Sequence, residues 1–549
     1  MKMNQLGKLA LSALMGLTML AGCGGSDGAS DGKVIVNLAS EPPEMNSFMN
    51  QDSTSGNVLR HTVEGLTTLD SNDNPVEGVA KSWDISDDKL TYTFHLREDS
   101  VWNDGTPVTA NDFKFAWDQL FTTYLGAAYG STWAVLIEGA EELMAQTETE
   151  KDAKSAAAKK AYENVGYKVI DDYTFEVKLT GPYPYILGTF AFYSFAPVNE
   201  KLFKQYGGID EYGNDAKSTA YNRPFVMSSW THEDNIVLTK NDKYWNKDAI
   251  KLNEITFKMI KDTNTALNEF ENGTIDMIGL SGIQAKKLKE AGQEIQTYGD
   301  GSVWYMEFNM NRPGLKNAKV RKALTMGIDC EKFIKTIPMN DSQVATSFTP
   351  PVINGGEFTK SVGNIWERAN GDYTNAKKLL EEGLKEEGID PKNFSIELLG
   401  DDSDTAKITY EFVQEQLKTN LGVKLEIKPV PFKTRIQRMN DKNFDIVWAD
   451  WSLDYNDPMS YLDLWLTGGG NNHGGYSNPE YDKLVKSAYM EADVEKRTQM
   501  LLDAEKILAE DCAIGLVYWR SRDFICSDKL TGVQRSALRD MDLRFAETK

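Results

Sequence analysis

The chain has 549 residues, 41% of them hydrophobic and 12 of them Trp, which excludes an intrinsically disordered protein. Its 82 Asp and Glu against 60 Lys and Arg leave a formal net charge of −22, which argues against a nucleic-acid partner, because phosphate binding needs a basic face. The length exceeds what one core holds, so two or more lobes are expected.

The N-terminus reads as an export signal. Lys2 and Lys8 flank a basic start, and the run from Leu9 to Leu20 is apolar except at Ser12, Gly16 and Thr18. That run is too short to span a bilayer. It ends in Leu20-Ala21-Gly22-Cys23, which resembles the bacterial lipobox, so residues 1–22 are expected to be a leader and Cys23 the lipidated first residue. Residues 23–32, with the stretch GGSDGASDG, form a flexible tether. No later apolar run is long enough to span, so membrane contact is expected through the anchor alone.

Further along, KVIVNLA is a strand pattern. SWDISDDKLTYTFHLRE predicts two strands turning at Asp87-Asp88, with Tyr92, Phe94 and Leu96 on one face. Thr109 caps a helix beginning at Ala110, with Asp112 in its first turn. Residues 141–165 read as a solvated helical excursion, and DDYTFEVKL alternates as a strand. NTALNEFENGTIDMIGL and TRIQRMNDKNFDIVWADW each predict a helix, a tight turn and a buried strand, and read as equivalent pieces of two α/β lobes. Near the C-terminus, Cys512 and Cys526 bracket AIGLVYWRSRDFI. This reads as a hairpin turning near Arg520 to Asp523, which would bring the two thiols within reach of a disulfide and leave Cys330 free. The Cys and His spacings match no metal site, and no HExxH, P-loop or GxGxxG motif occurs, so neither metal nor cofactor is expected.

Four separated segments carry a family resemblance: the stretch from Ser82 to Leu120, PFVMSSWTHEDNIVLTKNDKYWN, VWYMEFNMNRPGLKNAKVRKALTMGID and DYNDPMSYL. In this order they resemble the extracellular solute-binding proteins that serve ABC peptide importers, from about Val34 to the C-terminus. The resemblance implies an α/β, two-lobed periplasmic-binding-protein-like fold with an additional β-rich subdomain and a ligand cleft between the lobes. On that plan, residues 33–80 and 216–302 form lobe I, 81–215 the extra subdomain, 303–515 lobe II, and 516–549 return to lobe I. One departure stands at Tyr221-Asn222-Arg223-Pro224, where the family has a Gly-Thr-Gly-Pro turn.

The same resemblance implies a monomeric receptor without catalysis. It would bind a peptide and pass it to the permease and ATPase subunits of an importer. WSLDYNDP is similar to the family's binding signature, which puts Asp454 opposite the peptide α-ammonium; the same residues also suit a turn. Trp451 matches the family's pocket Trp, with strand core as its alternative. Glu41, Pro43, Tyr129, Trp133, Tyr305 and Trp519 are further candidate contacts, each with core packing as its alternative. Rival readings are a binder of another solute (a dipeptide, a metal chelate or a sugar) and a secreted hydrolase.

Overall fold

The computed structural model describes residues 31–491 and 493–549. The leader, Cys23 and the tether up to residue 30 lie outside the described residues. Strand β1 (Lys33–Asn37) buries Val34 and Val36. Helix α1 (Ser53–Thr62) begins at Asp52, whose carboxylate accepts from Ser55 N at 2.8 Å.

The chain then forms a separate four-stranded antiparallel sheet. Strands β2 (Ala80–Ile85) and β3 (Thr91–Leu96) meet at the Asp87-Asp88 turn, where Asp88 Oδ1 accepts from Leu90 N. Tyr92, Phe94 and Leu96 face inward as their alternation requires. Helix α2 (Ala110–Leu120) opens with a Thr109/Asp112 capping box. It lays Phe113 and Trp117 on Phe175, with ring centroids 5.9 and 5.1 Å away. The short helix α3 (Gly130–Ala134) and strands β4 (Tyr167–Asp171) and β5 (Thr174–Lys178) complete this unit, with sheet order β2-β3-β5-β4.

The remaining long strands build one continuous sheet. They are β6 (Phe225–Thr231), β7 (Asn235–Lys240), β8 (Glu254–Lys258), β9 (Met277–Leu280), β10 (Gln296–Phe308), β11 (Ser395–Asp401), β12 (Lys424–Val430), β13 (Ile446–Trp451) and β14 (Ile514–Cys526). With β1 they lie in the order β12-β11-β13-β10-β14-β9-β1-β8-β7-β6, and Gln343–Val344 adds to β14. Helices α4 (Thr263–Glu271) and α5 (Phe432–Asn440) precede β9 and β13, through turns with positive φ at Gly273 and Lys442. The two helix–turn–strand units therefore occupy matching places, one on each side of the central pair β10–β14.

That pair joins the halves of the sheet. Val303 to Glu307 of β10 lie opposite Trp519 to Ile514 of β14, and Gln296 to Gly299 lie opposite Phe524 to Ser521. Between these zones β10 takes four residue steps and β14 takes two, a bulge that frees Asp300, Gly301 and Ser302. Gly301 has φ +72, and a Cβ there would lie 2.5 Å from Leu453 Cδ2, so position 301 calls for glycine.

The C-terminal hairpin expected from Arg520 to Asp523 is absent: β14 is a single strand of 13 residues. At about 3.3 Å per residue its ends stand roughly 40 Å apart, far beyond a disulfide's reach. Cys330, Cys512 and Cys526 are free thiols. The departure at Tyr221–Pro224 makes no use of positive φ. Asn222 instead exchanges hydrogen bonds with the backbone of Glu64, and Arg223 donates to Val63 O at 2.9 Å. Among the described residues no helix is long and apolar enough to cross a membrane, and no group of three or more His, Cys, Asp or Glu is placed to hold a metal ion. Helix α6 (Val494–Glu510) packs on the helix Pro479–Met490 and leads into β14.

Candidate ligand cleft

A cavity of ≈ 300 Å³ lies where the four-stranded unit, α1, α5 and the ends of β10, β13 and β14 converge. Strand β13 delivers Trp451 to its rim and then turns. Asp454 sits in that turn, its N–H donating to Ser460 Oγ at 2.8 Å. Asp457 and Pro458 start the short helix Met459–Leu462, and Asp457 is clamped by both Nη atoms of Arg497 at 2.8 and 2.9 Å. Tyr461 and Trp465 are buried behind the turn.

Asp454 is half-buried and lines the cavity. Its Oδ1 accepts from the Tyr129 hydroxyl at 3.0 Å. Burial pushes its pKa well above the ordinary carboxylate value; the Tyr129 bond lowers it and the nearby Asp463 raises it further. No basic side chain among the described residues pairs with it or offsets this rise.

Trp451 donates from Nε1 to Ser460 O at 2.8 Å and faces Tyr129 with ring centroids 6.1 Å apart. Tyr129 is stacked on Trp133 at 5.4 Å with an interplanar angle of 8°. Trp133 itself is fully buried behind Tyr129 and does not reach the lining. Tyr305 lines the cavity and packs edge-on against Phe348 and Trp465. Trp519 turns away, donating from Nε1 to Ser347 O at 3.1 Å. Glu41 meets His232 Nδ1 and the N–H of Glu233, each at 2.7 Å, outside the lining, and half-buried Pro43 is outside it as well. Asp454, Trp451, Tyr129 and Tyr305 are thus brought together. Trp133 supports them from behind, and Trp519, Glu41 and Pro43 stand apart from the cavity.

Sequence reasoning missed the charged side of the cleft. Asp300, freed by the bulge in β10, accepts from Arg520 at 2.7 Å and from Arg522 at 2.6 Å. Burial alone would raise the Asp300 carboxyl, but the two guanidiniums outweigh it and hold the pKa below its usual value. Arg522 also reaches Asp540 at 3.1 Å, and Arg435 pairs with Asp401 at 3.1 Å. The available signal was the Arg520-Ser521-Arg522 alternation: in an extended strand it places both guanidiniums on one face.

The family described as bacterial extracellular solute-binding proteins, family 5 Middle, matches residues 74–473. The oligopeptide-binding protein OppA of Bacillus subtilis is 33% identical over 538 residues, covering 94% of each chain. The dipeptide-binding protein DppE of the same organism is 30% identical, covering 97% of this chain and 96% of that one. Among solved structures, Listeria monocytogenes OppA bound to peptide superposes with a TM-score of 0.87 at 31% identity, covering 95% of this chain and 99% of its own. The chain belongs to the bacterial extracellular solute-binding proteins of family 5.

Proposed function

We propose that this protein is a peptide receptor that delivers its ligand to an ABC importer. The observation that carries this reading is Asp454, a desolvated carboxylate facing a cavity with no cationic partner among the described residues. A charge in that setting is costly unless paired, and a peptide α-ammonium supplies the pair. Trp451, Tyr129 and Tyr305 supply apolar walls that accept varied side chains. Both relatives named above bind peptides by their names, one oligopeptides and one dipeptides, which supports the ligand class and leaves its length open.

In this proposal lobe I (33–80, 216–302 and 516–549, with the 81–215 subdomain) and lobe II (303–515) open and close about the bulge in β10 and the facing part of β14. Closure traps the peptide and forms the surface that docks on the permease, so ligand acts by shifting the population of the closed state. Cys23 carries the lipid that keeps the receptor at the outer face of the cytoplasmic membrane. No catalytic step is assigned to it.

Calorimetry with a free peptide and its N-acetylated form tests the ammonium anchor. Acetylation of the peptide, or Asp454→Asn in the protein, is expected to weaken binding by ~30-fold or more, the scale of removing one partner from a desolvated charge pair. Unchanged affinity in both experiments would remove Asp454 from the ammonium role.

A further inference from the structure

Five guanidiniums face the cavity, and four have settled partners. Arg435 pairs with Asp401, Arg520 with Asp300, and Arg522 with Asp300 and Asp540. Arg223 lies 4.0 Å from Glu64 and donates to Val63 O. Arg60 differs. Its Nη1 donates to a backbone carbonyl, Leu538 O, at 3.1 Å, and its Nε, like those of Arg223 and Arg435, is buried with no hydrogen-bond partner; unlike theirs, its guanidinium has no carboxylate beside it within ion-pair distance among the described residues. The acid that acts on it most, Asp542, is already engaged by Arg544 and Arg539.

The position of Arg60 relates it to Asp454. Arg60 is four residues after Gly56 on α1, so the two share a helix face. A Cβ at Gly56 would lie 3.0 Å from the Tyr193 ring, which shows how closely that face meets Tyr193. Tyr193 packs on Phe192 at 4.0 Å, and Phe192 packs on Tyr129 at 5.0 Å, whose hydroxyl reaches Asp454. The Tyr193 hydroxyl feels both charges, Asp454 raising its pKa and Arg60 lowering it. One wall of the cavity therefore carries an unpaired anion and an unpaired cation on either side of a short aromatic run.

We propose that Arg60 binds a carboxylate of the ligand, so that the cleft reads a negative charge set close to the ammonium on Asp454. This rests on the peptide reading and adds a preference to it. A desolvated guanidinium held by one carbonyl gains a charge-assisted bond when a carboxylate arrives, and a neutral amide gives far less. The carboxylate has two sources: the α-carboxylate of a short peptide, or an acidic side chain near the N-terminus of a longer one.

The test uses alanine peptides of two to five residues, each as free acid and as C-terminal amide. It adds amidated pentapeptides carrying Glu or Gln at position two, three or four. Binding is measured calorimetrically to the wild-type protein and to Arg60→Gln and Arg60→Lys. Wild type is expected to favour at least one carboxylate-bearing peptide over its neutral partner by about tenfold to a hundredfold. Arg60→Gln is expected to erase that preference while the neutral peptides bind as before, and Arg60→Lys to retain part of it. The peptide that carries the preference identifies the source: free acid over amide for the α-carboxylate, Glu over Gln for the side chain. Equal binding of acids and neutral partners by wild type, or a preference that survives Arg60→Gln, overturns the Arg60 assignment and leaves the peptide reading standing. Failure of every peptide to bind overturns both. Unchanged binding of neutral peptides by Arg60→Gln also separates lost recognition from lost folding.

Discussion

Asp454 holds its proton to higher pH than an exposed carboxylate does, because the cavity strips water from it. The proposed ammonium contact needs the ionised form. Peptide affinity is therefore full above the Asp454 pKa of the ligand-free protein and falls as pH drops through it. Tyr129 opposes part of the rise by donating to the carboxylate at 3.0 Å. Tyr129→Phe keeps the stack on Trp133 and removes that donor. The loss of affinity on acidification should then begin at higher pH than in wild type. Affinity measured across pH 4 to 8 for both proteins decides this, and a profile that does not move would mean that Tyr129 does not tune the anchor. At this scale the sequence was partly legible. Asp454 and Trp451 could be singled out by a local motif, since eight consecutive residues set their geometry. Trp133 was recognisable as an aromatic near the site, but whether it lines the cavity or backs Tyr129 depends on a stacking partner four residues away on a short helix.

At the scale of elements, α6 ties down the chain behind Tyr305. Its Glu505 is fully buried and takes hydrogen bonds from the N–H of Thr349 at 3.2 Å, from the Thr349 hydroxyl at 2.8 Å and from the N–H of Phe348. Burial pushes its pKa from the usual 4.5 up to about 7, against the pull of those bonds. A raised carboxyl pKa means that the folded state binds the extra proton between about 4.5 and 7. Stability is then greatest below the unfolded-state pKa and declines as pH rises to about 7, by on the order of 3 kcal/mol for this one group. In Glu505→Gln, Oε1 can still accept the two N–H groups and Nε2 can donate to the Thr349 hydroxyl. Denaturant unfolding at several pH values should show this variant losing that part of the decline; an identical slope in both proteins would mean that Glu505 does not titrate in this window. Strand β14 marks the limit of what its own sequence could reveal. The polar run Arg520 to Asp523 interrupts an apolar strand and so reads as a turn. In the fold each of these groups has a partner: Arg520 and Arg522 hold Asp300, while Asp523 accepts from Thr297. Those partners lie more than 200 residues away in the chain, so local pattern cannot distinguish a buried ion network from a solvated bend. By contrast, β3 and α2 were readable because alternation and a capping box are local.

Across the whole molecule, the proposed lobes meet through several contacts, two of which are unlike in kind. One is polar: Lys261, after β8, reaches Asp402, after β11, at 3.3 Å, and both side chains are about one-third exposed (35% and 33%). The other is aromatic: Tyr185 of the four-stranded unit stacks on Tyr455 beside Asp454 at 4.4 Å with an interplanar angle of 16°. The proposed closing motion separates both contacts when the cleft opens, so each contributes to ligand affinity through the population of the closed state. Their magnitudes differ. An exposed ion pair is worth about 0 to 1 kcal/mol and is screened by salt. An aromatic stack adds about 0.5 to 1.5 kcal/mol to the burial of its rings. Lys261→Ala should therefore weaken peptide binding by no more than about fivefold at low ionic strength, and leave it unchanged in ~1 M salt. Tyr185→Ala should weaken it by on the order of tenfold at either ionic strength. It should also enlarge the radius of gyration of the ligand-free protein in small-angle scattering, because the open population grows. Equal losses for the two variants, or a salt dependence at Tyr185, would mean that charge across the lobe interface, rather than its aromatic contact, governs closure.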